Sequence, residues 1–174
     1  MQTCTAGLQL GPIVTASQQC QNWCWAACIE AVFAMRGYRV SQRAIVRKIY
    51  GGTEPCSRAI GPQIIQAVNG PWIDANNRRF MAYAAPLIDL QFGVLHPQAA
   101  ALAAQELARN NPLINGAAGH ATVMTAMTYV RNNLGQGMPV QIIVRDPWPG
   151  NPNRRVLTPR EVAGTFFLAR VTTS

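Results

Sequence analysis

Three cysteines, Cys20, Cys24 and Cys28, fall within the stretch SQQCQNWCWAACIEAVF, and Trp23 and Trp25 flank the middle one. Apolar residues follow almost without a break, so the segment reads as a buried helix. Asn22 is the expected N-cap, Trp23 to Arg36 the helix and Gly37 the C′ stop. Cys24 then stands at the second helical position. Unsatisfied first-turn N–H groups and the helix dipole favour negative charge there, which lowers a thiol pKa toward the attacking thiolate. A small buried hydrophobe is the competing reading of the same cysteine, and helix position alone does not separate the two.

A thiolate nucleophile needs a base, and the base needs a group to orient it. The chain has two histidines. His96, in GVLHPQ, reads as a capping or surface residue. His120, in GAAGHATVM, opens an apolar strand behind small residues that leave room for a substrate backbone. Of the three aspartates, Asp74, Asp89 and Asp146, the last ends the segment PVQIIVRD. The turn cluster RNNLGQG returns that segment as the hairpin partner of His120 to Val130, which brings His120 and Asp146 side by side. Pro147 follows directly, so an Asp-Pro turn is the structural alternative. Trp148 is expected to lie over the Asp–His contact and exclude water.

Acyl transfer also needs donors for an oxyanion. The backbone N–H of Cys24 is one, and the side-chain amide of Gln18, six residues earlier, is another, with Gln19 and Gln21 as substitutes. Trp23, Trp25 and the stretch 115–119, Gly119 included, are expected to line the cleft. The cysteine spacing C-x3-C-x3-C lacks a zinc knuckle and neither histidine is near it, so no metal and no cofactor is assigned.

These residues require a scaffold. Ser41 is expected to cap a second helix, Gln42 to Tyr50, with Ile45, Val46, Ile49 and Tyr50 facing inward. Pro62 opens a third that ends near Asn69-Gly70, and Pro97 to Asn110 gives a fourth. Strands are expected over PLING (112–116), His120 to Val130, PVQIIVRD and TFFLARVT, with one or two more in RRFMAYAAPLIDLQF. Thr158 and Glu161 form a capping box around Pro159. Helices first and a mostly antiparallel sheet after them is an α+β pattern. The expectation is one domain over 1–174, its helical part at about 18–70 and its sheet part at about 78–174.

Composition narrows the function classes. With 49% apolar and 13% charged residues the chain has the makings of a packed core and is not a disordered segment. No apolar run approaches the roughly 18 residues of a membrane span. The start, MQTCTAGLQLGPIVTAS, has neither a basic n-region nor a continuous apolar h-region and is not read as a signal peptide. The net charge of +8 comes from scattered arginines with one lysine, Lys48. The only pairs are Arg78-Arg79 and Arg154-Arg155, so nucleic acid is not an expected partner. The five cysteines, Cys4 and Cys56 with the three above, leave one thiol over if four pair in an oxidising compartment.

The segment QQCQNWCWAA resembles the papain-like cysteine peptidases, in which a Gln lies six residues before the nucleophile and a Trp follows it. With GHA and DPWPG further on, the chain looks like the compact bacterial branch, which includes the C39-like peptidases and the type III effector peptidases of the C70 group. The likeness covers Gln18 to Phe33 and His120 to Gly150. It implies Cys24 as nucleophile, His120 as base and acid, Asp146 as orienting acid in place of the commoner Asn, Gln18 as oxyanion donor and Trp148 as aromatic shield. It also implies a disulfide from Cys20 to Cys56, with Cys4 and Cys28 unassigned. The implied fold is a helical part with a central buried helix, packed on an antiparallel sheet. The implied function is peptide-bond hydrolysis through a thioester acyl-enzyme, by a bacterial protein secreted or delivered outside the producing cell. Its partners would be a protein or peptide substrate and a cognate inhibitor or immunity protein. Two alternatives stay open: glutamine deamidation or transglutamination by the same triad, and a non-catalytic basic binding module.

Overall fold

The computed structural model describes residues 1–9 and 11–174. In chain order the elements are β1 (Gln2–Gly7), α1 (Cys24–Met35), α2 (Gln42–Ile49), α3 (Gly61–Val68), β2 (Gly70–Ile73), β3 (Arg79–Asp89), a 3-10 turn (Leu90–Phe92), β4 (Val94–Leu95), α4 (Ala99–Ala108), β5 (Leu113–Ala117), β6 (His120–Arg131), β7 (Gly137–Arg145), β8 (Arg154–Val156), α5 (Pro159–Ala163) and β9 (Thr165–Thr173). Among the described residues nine strands form one antiparallel sheet in the order β2-β3-β9-β5-β6-β7-β8, with β1 added to β6 and β4 to β3. This is the α+β arrangement, with three helices ahead of most of the sheet.

Helix α1 is apolar on nearly every side, and eight of its twelve residues are buried. It can afford no solvent face, so it sits between α2, α3 and the sheet. Its Phe33 meets Trp72 and Phe80 edge-on at centroid distances of 5.4 and 5.1 Å, and Ile29 and Val32 share a core with Val123 and Phe167 of the sheet. Fully burying a side chain of this size contributes about 1.5–3 kcal/mol, so this layer fixes where the first turn of α1 points. Helix α4 covers the opposite face, where Ala103 and Leu107 pack on Leu113, Met124 and Met127. Sequence order groups the first three helices and sets the fourth within the sheet part, without saying which face of the sheet it covers. The sheet face that each covers is decided by which side of each strand is apolar, and β5 is buried on both.

Several boundaries move. Helix α1 begins at Cys24, with Trp23 and not Asn22 at the N-cap and no side-chain cap. Asn22 is drawn elsewhere, because its amide donates to the Cys56 carbonyl at 3.0 Å. Ser41 does cap α2, accepting from the Ala44 N–H at 3.2 Å. Pro62 is the second residue of α3, behind Gly61, and a Cβ on Gly61 would stand 2.5 Å from Asp89 Oδ2 and 2.8 Å from Phe167. Helix α4 is shorter at both ends than expected. Strands β1, β2, β4 and β8 were not anticipated. They are short or polar and become strands by pairing with longer neighbours.

Candidate active site

Cys24 is the first residue of α1, so its own N–H lies in the turn that has no intrahelical acceptor. The backbone N–H of Ala121 points at its sulfur, with N···Sγ 3.4 Å. Ala121 follows His120, and His120 is placed by the tightest of hairpins. Only Ala118 and Gly119 separate β5 from β6, and their φ values are +51° and +74°. A two-residue loop of this kind needs left-handed backbone at both positions. The small residues before His120 therefore serve the turn first. Glycine adopts that conformation freely, whereas Ala118 bears its cost.

The second anchor comes from the β6–β7 hairpin. Asp146 follows the last residue of β7, and its Oδ1 lies 2.7 Å from His120 Nε2. The side-by-side placement of the two residues thus takes the form of a direct bond. The carboxylate has no exposed surface. Four donors converge on it: His120 and the Trp148 N–H (2.9 Å) on Oδ1, Asn151 Nδ2 (3.0 Å) and Arg155 Nε (2.6 Å) on Oδ2. With Nε2–H committed to Asp146, Nδ1 is the ring nitrogen left for Cys24, and the thiol and the imidazole act on each other's charge.

The charges follow from these contacts. Burial opposes ionisation of Asp146, but the bonds from His120, Trp148, Arg155 and Asn151 outweigh it and hold the carboxyl well below the usual range. Burial likewise opposes the imidazolium of His120, yet Asp146 and Cys24 push its pKa up to about 9. At Cys24 burial raises the thiol, while His120 and the Ala121 N–H win and lower it. The site therefore favours a thiolate–imidazolium pair. Cys28, one turn along α1, is fully buried, and its thiol is pushed well above its ordinary value. Cys4 is a free thiol on β1, half-buried.

Arg155 carries the network outward. Its Nη2 and Nη1 bond Glu161 Oε1 and Oε2 at 2.7 and 2.9 Å, a two-pronged contact, while its Nε holds Asp146. Glu161 is also the expected capping-box partner of Thr158 at the start of α5. Sequence reasoning missed Arg155 and Asn151. Arg155 read as half of a surface basic pair, and the sequence carried no signal for its role, because the strand that places it, β8, forms only by pairing with β7.

The remaining expected residues fall as follows. Gln18 is buried; its Nε2 donates to the Cys20 and Gln21 carbonyls at 3.1 and 2.7 Å, so both amide hydrogens are engaged, and its Oε1 is buried without a partner among the described residues. Its backbone N–H bonds the Pro147 carbonyl at 3.0 Å, joining the nucleophile segment to the Asp146 loop. Cys20 and Cys56 form a disulfide. Trp23 is turned into the core and donates its indole N–H to the Pro55 carbonyl at 2.9 Å; Trp25 donates to the Ser57 carbonyl at 3.1 Å. The two tryptophans beside Cys24 thus pin the 55–57 segment.

Two hollows meet at the sulfur. An apolar one of about 210 Å³ has Trp25, Ile60, Ile64, Gly116 and Phe166 in its wall, and a polar one of about 200 Å³ has Gln21 and Trp148; both include Cys24, Gly119 and His120. Trp148 is 39% exposed. Asn115 lies across the sheet, in a larger cavity with His96, whose Nδ1 accepts from the Gln98 N–H near the start of α4. Asp74 closes the β2–β3 turn against Arg78, and Asp89 is buried beside Gly61. Among the described residues no three His, Cys, Asp or Glu side chains are grouped to hold a metal ion, and no helix is long and apolar enough to cross a membrane.

No protein-family model matches the chain, and no curated protein matches it. Solved structures do. The chain is similar to the peptidase domain of Streptococcus ComA, a bi-functional ABC transporter involved in a quorum-sensing pathway, with a TM-score of 0.53 and 15% identity over 94% of this chain and 98% of that one. It is also similar to UfSP from C. elegans, with a TM-score of 0.56 and 12% identity over 98% of this chain and 34% of that one. At these identities the likeness is one of fold, and the fold is that of papain-like cysteine peptidases.

Proposed function

We propose that the chain is a cysteine peptidase that works through Cys24, His120 and Asp146, with residues 1–174 acting as one domain. The observation that carries this reading is the convergence of three groups, from the start of α1, the start of β6 and the loop after β7. The α1 sulfur lies on the Ala121 N–H, and the neighbouring imidazole is held by a fully buried carboxylate at 2.7 Å. The similarity in fold to a peptidase domain supports it.

In this reading the Cys24 thiolate attacks a peptide carbonyl. The oxyanion draws on the Cys24 N–H, with Gln18 contributing once one of its amide hydrogens leaves a loop carbonyl. His120, protonated at Nδ1, gives that proton to the departing amine, and a thioester remains. Neutral His120 then takes a proton from water, the hydroxide adds to the thioester, and the acid product leaves as Cys24 is restored. Asp146 holds the ring and stabilises the imidazolium without itself taking a proton. The Cys20–Cys56 disulfide favours an oxidising compartment and hence a secreted or delivered protein. The finer likeness to the compact bacterial branch belongs to the same proposal.

The test is treatment with the epoxide E-64 and mass mapping of the adduct, run beside peptide cleavage by Cys24→Ala. Modification should fall on Cys24, and the variant should lose about 10⁴-fold or more in kcat/KM while keeping its fold. Cleavage retained by Cys24→Ala would sink the reading.

A further inference from the structure

Arg58 stands at the junction of the two hollows and belongs to the wall of both. Its Nε donates to Asn22 Oδ1 at 3.4 Å, on the α1 side of the cleft. Its Nη1 comes within 3.4 Å of the place a Cβ on Gly119 would occupy, on the His120 side. The guanidinium therefore lies across the cleft beside the reactive sulfur.

Its backbone is built into place. The Trp23 and Trp25 indoles and the Asn22 amide bond the carbonyls of Pro55, Ser57 and Cys56 in turn, Tyr50 bonds the Arg58 carbonyl at 3.2 Å, and the disulfide ties Cys56 to Cys20. Six other arginines, Arg43, Arg47, Arg78, Arg109, Arg155 and Arg170, pair with carboxylates; of the eight that pair with none among the described residues, Arg58 is the one in the walls of these two hollows. A cation held by this many backbone contacts, with an unneutralised guanidinium facing a cleft, is arranged to meet an anion brought by the substrate.

We propose that Arg58 binds a carboxylate of the substrate beside the scissile bond, while the hollow lined by Ile60, Ile64 and Phe166 takes a neighbouring apolar side chain. The substrate class is then a peptide that pairs an apolar residue with an anionic group, supplied by an acidic side chain or by a free C-terminus. This rests on Cys24 being the nucleophile, as proposed above.

A small reagent pair tests it without any known substrate. Iodoacetate and iodoacetamide both alkylate a thiolate: the sulfur bonds the methylene carbon, the C–I bond breaks and iodide leaves with its electron pair. They differ in one carboxylate. Mapped to Cys24, the iodoacetate-to-iodoacetamide rate ratio should fall about fivefold in Arg58→Gln, the upper range for an exposed ion pair, and most of that difference should vanish in about 1 M salt. An unchanged ratio with Cys24 still reactive overturns the role of Arg58 and leaves the nucleophile standing. Reaction no faster at Cys24 than at Cys4 overturns both. Protection of Cys24 by matched peptides then separates the two sources. Preference for internal Glu over Gln marks an acidic side chain, and preference for a C-terminal acid over its amide marks a free terminus. No preference in either pair overturns the proposal.

Discussion

Replacing Asp146 by Asn changes one atom, yet the site makes it a severe change. Four donors point at the Asp146 carboxylate, two at each oxygen. An amide has one oxygen and brings two hydrogens of its own, so its NH2 must face either His120 with Trp148, or Arg155 with Asn151. The charge that raises His120 also disappears. His120 titrates at about 9 against an ordinary 6.5, a difference of 2.5 units or roughly 3 kcal/mol favouring the imidazolium. At pH 7.5 a group of pKa 9 is about 97% charged and one of pKa 6.5 about 9% charged, so losing the whole rise would cut the imidazolium population about tenfold. The chain has only two histidines, so imidazole nitrogen NMR resolves both without ambiguity, with His96→Gln giving the assignment. Wild-type His120 should stay protonated to near pH 9, and in Asp146→Asn it should titrate at least one unit lower, with the pH profile of iodoacetamide labelling at Cys24 altered in parallel. If wild-type His120 titrates near 6.5, or if Asp146→Asn leaves its pKa where it was, the reasoning about this contact fails.

The same shift bears on stability. His120 has a folded pKa above its unfolded value, so its contribution is complete below about pH 6.5 and is lost as pH rises through about 9. Asp146 and Cys24 share that rise, so in Cys24→Ala, which keeps only the share from Asp146, urea unfolding should show less stability at pH 9.5 than at 6.5 by less than the roughly 3 kcal/mol of the full rise, and His120→Ala in that background should flatten the slope; equal slopes would refute the linkage. Arg155→Met leaves the buried Asp146 and the half-buried Glu161 without their shared cation and should cost about 3 kcal/mol in chemical denaturation, an unchanged midpoint being the contrary result. Opening the disulfide by Cys20→Ala with Cys56→Ala releases a 36-residue loop. The expected loss is on the order of 4 kcal/mol in the chain-entropy picture, and it would be read as a drop in thermal midpoint. Ala118→Asn should raise the midpoint slightly by easing the left-handed turn before His120, and a clear destabilisation would contradict the assigned strain.

Much of this protein is legible in its residues, because much of it is local. The apolar run after Cys24 requires a buried helix, Ser41 and Thr158 act as caps, and RNNLGQG folds β7 back on β6. Those terms act within a few residues of the chain. The adjacency of His120 and Asp146 follows from the hairpin alone. The Cys20–Cys56 pairing, by contrast, came from likeness to a family and not from spacing. What tertiary structure decided is the meeting of groups far apart in the chain. Cys24 reaches the Ala121 N–H across 97 residues only because α1 packs on β6. Trp23 and Trp25 turn out to hold the 55–57 segment, Gln18 spends its amide on loop carbonyls, and Arg155 leaves the surface to clamp Asp146. Periodicity and capping energies are properties of a short window, whereas the direction in which a buried donor finds its acceptor depends on every layer packed around it.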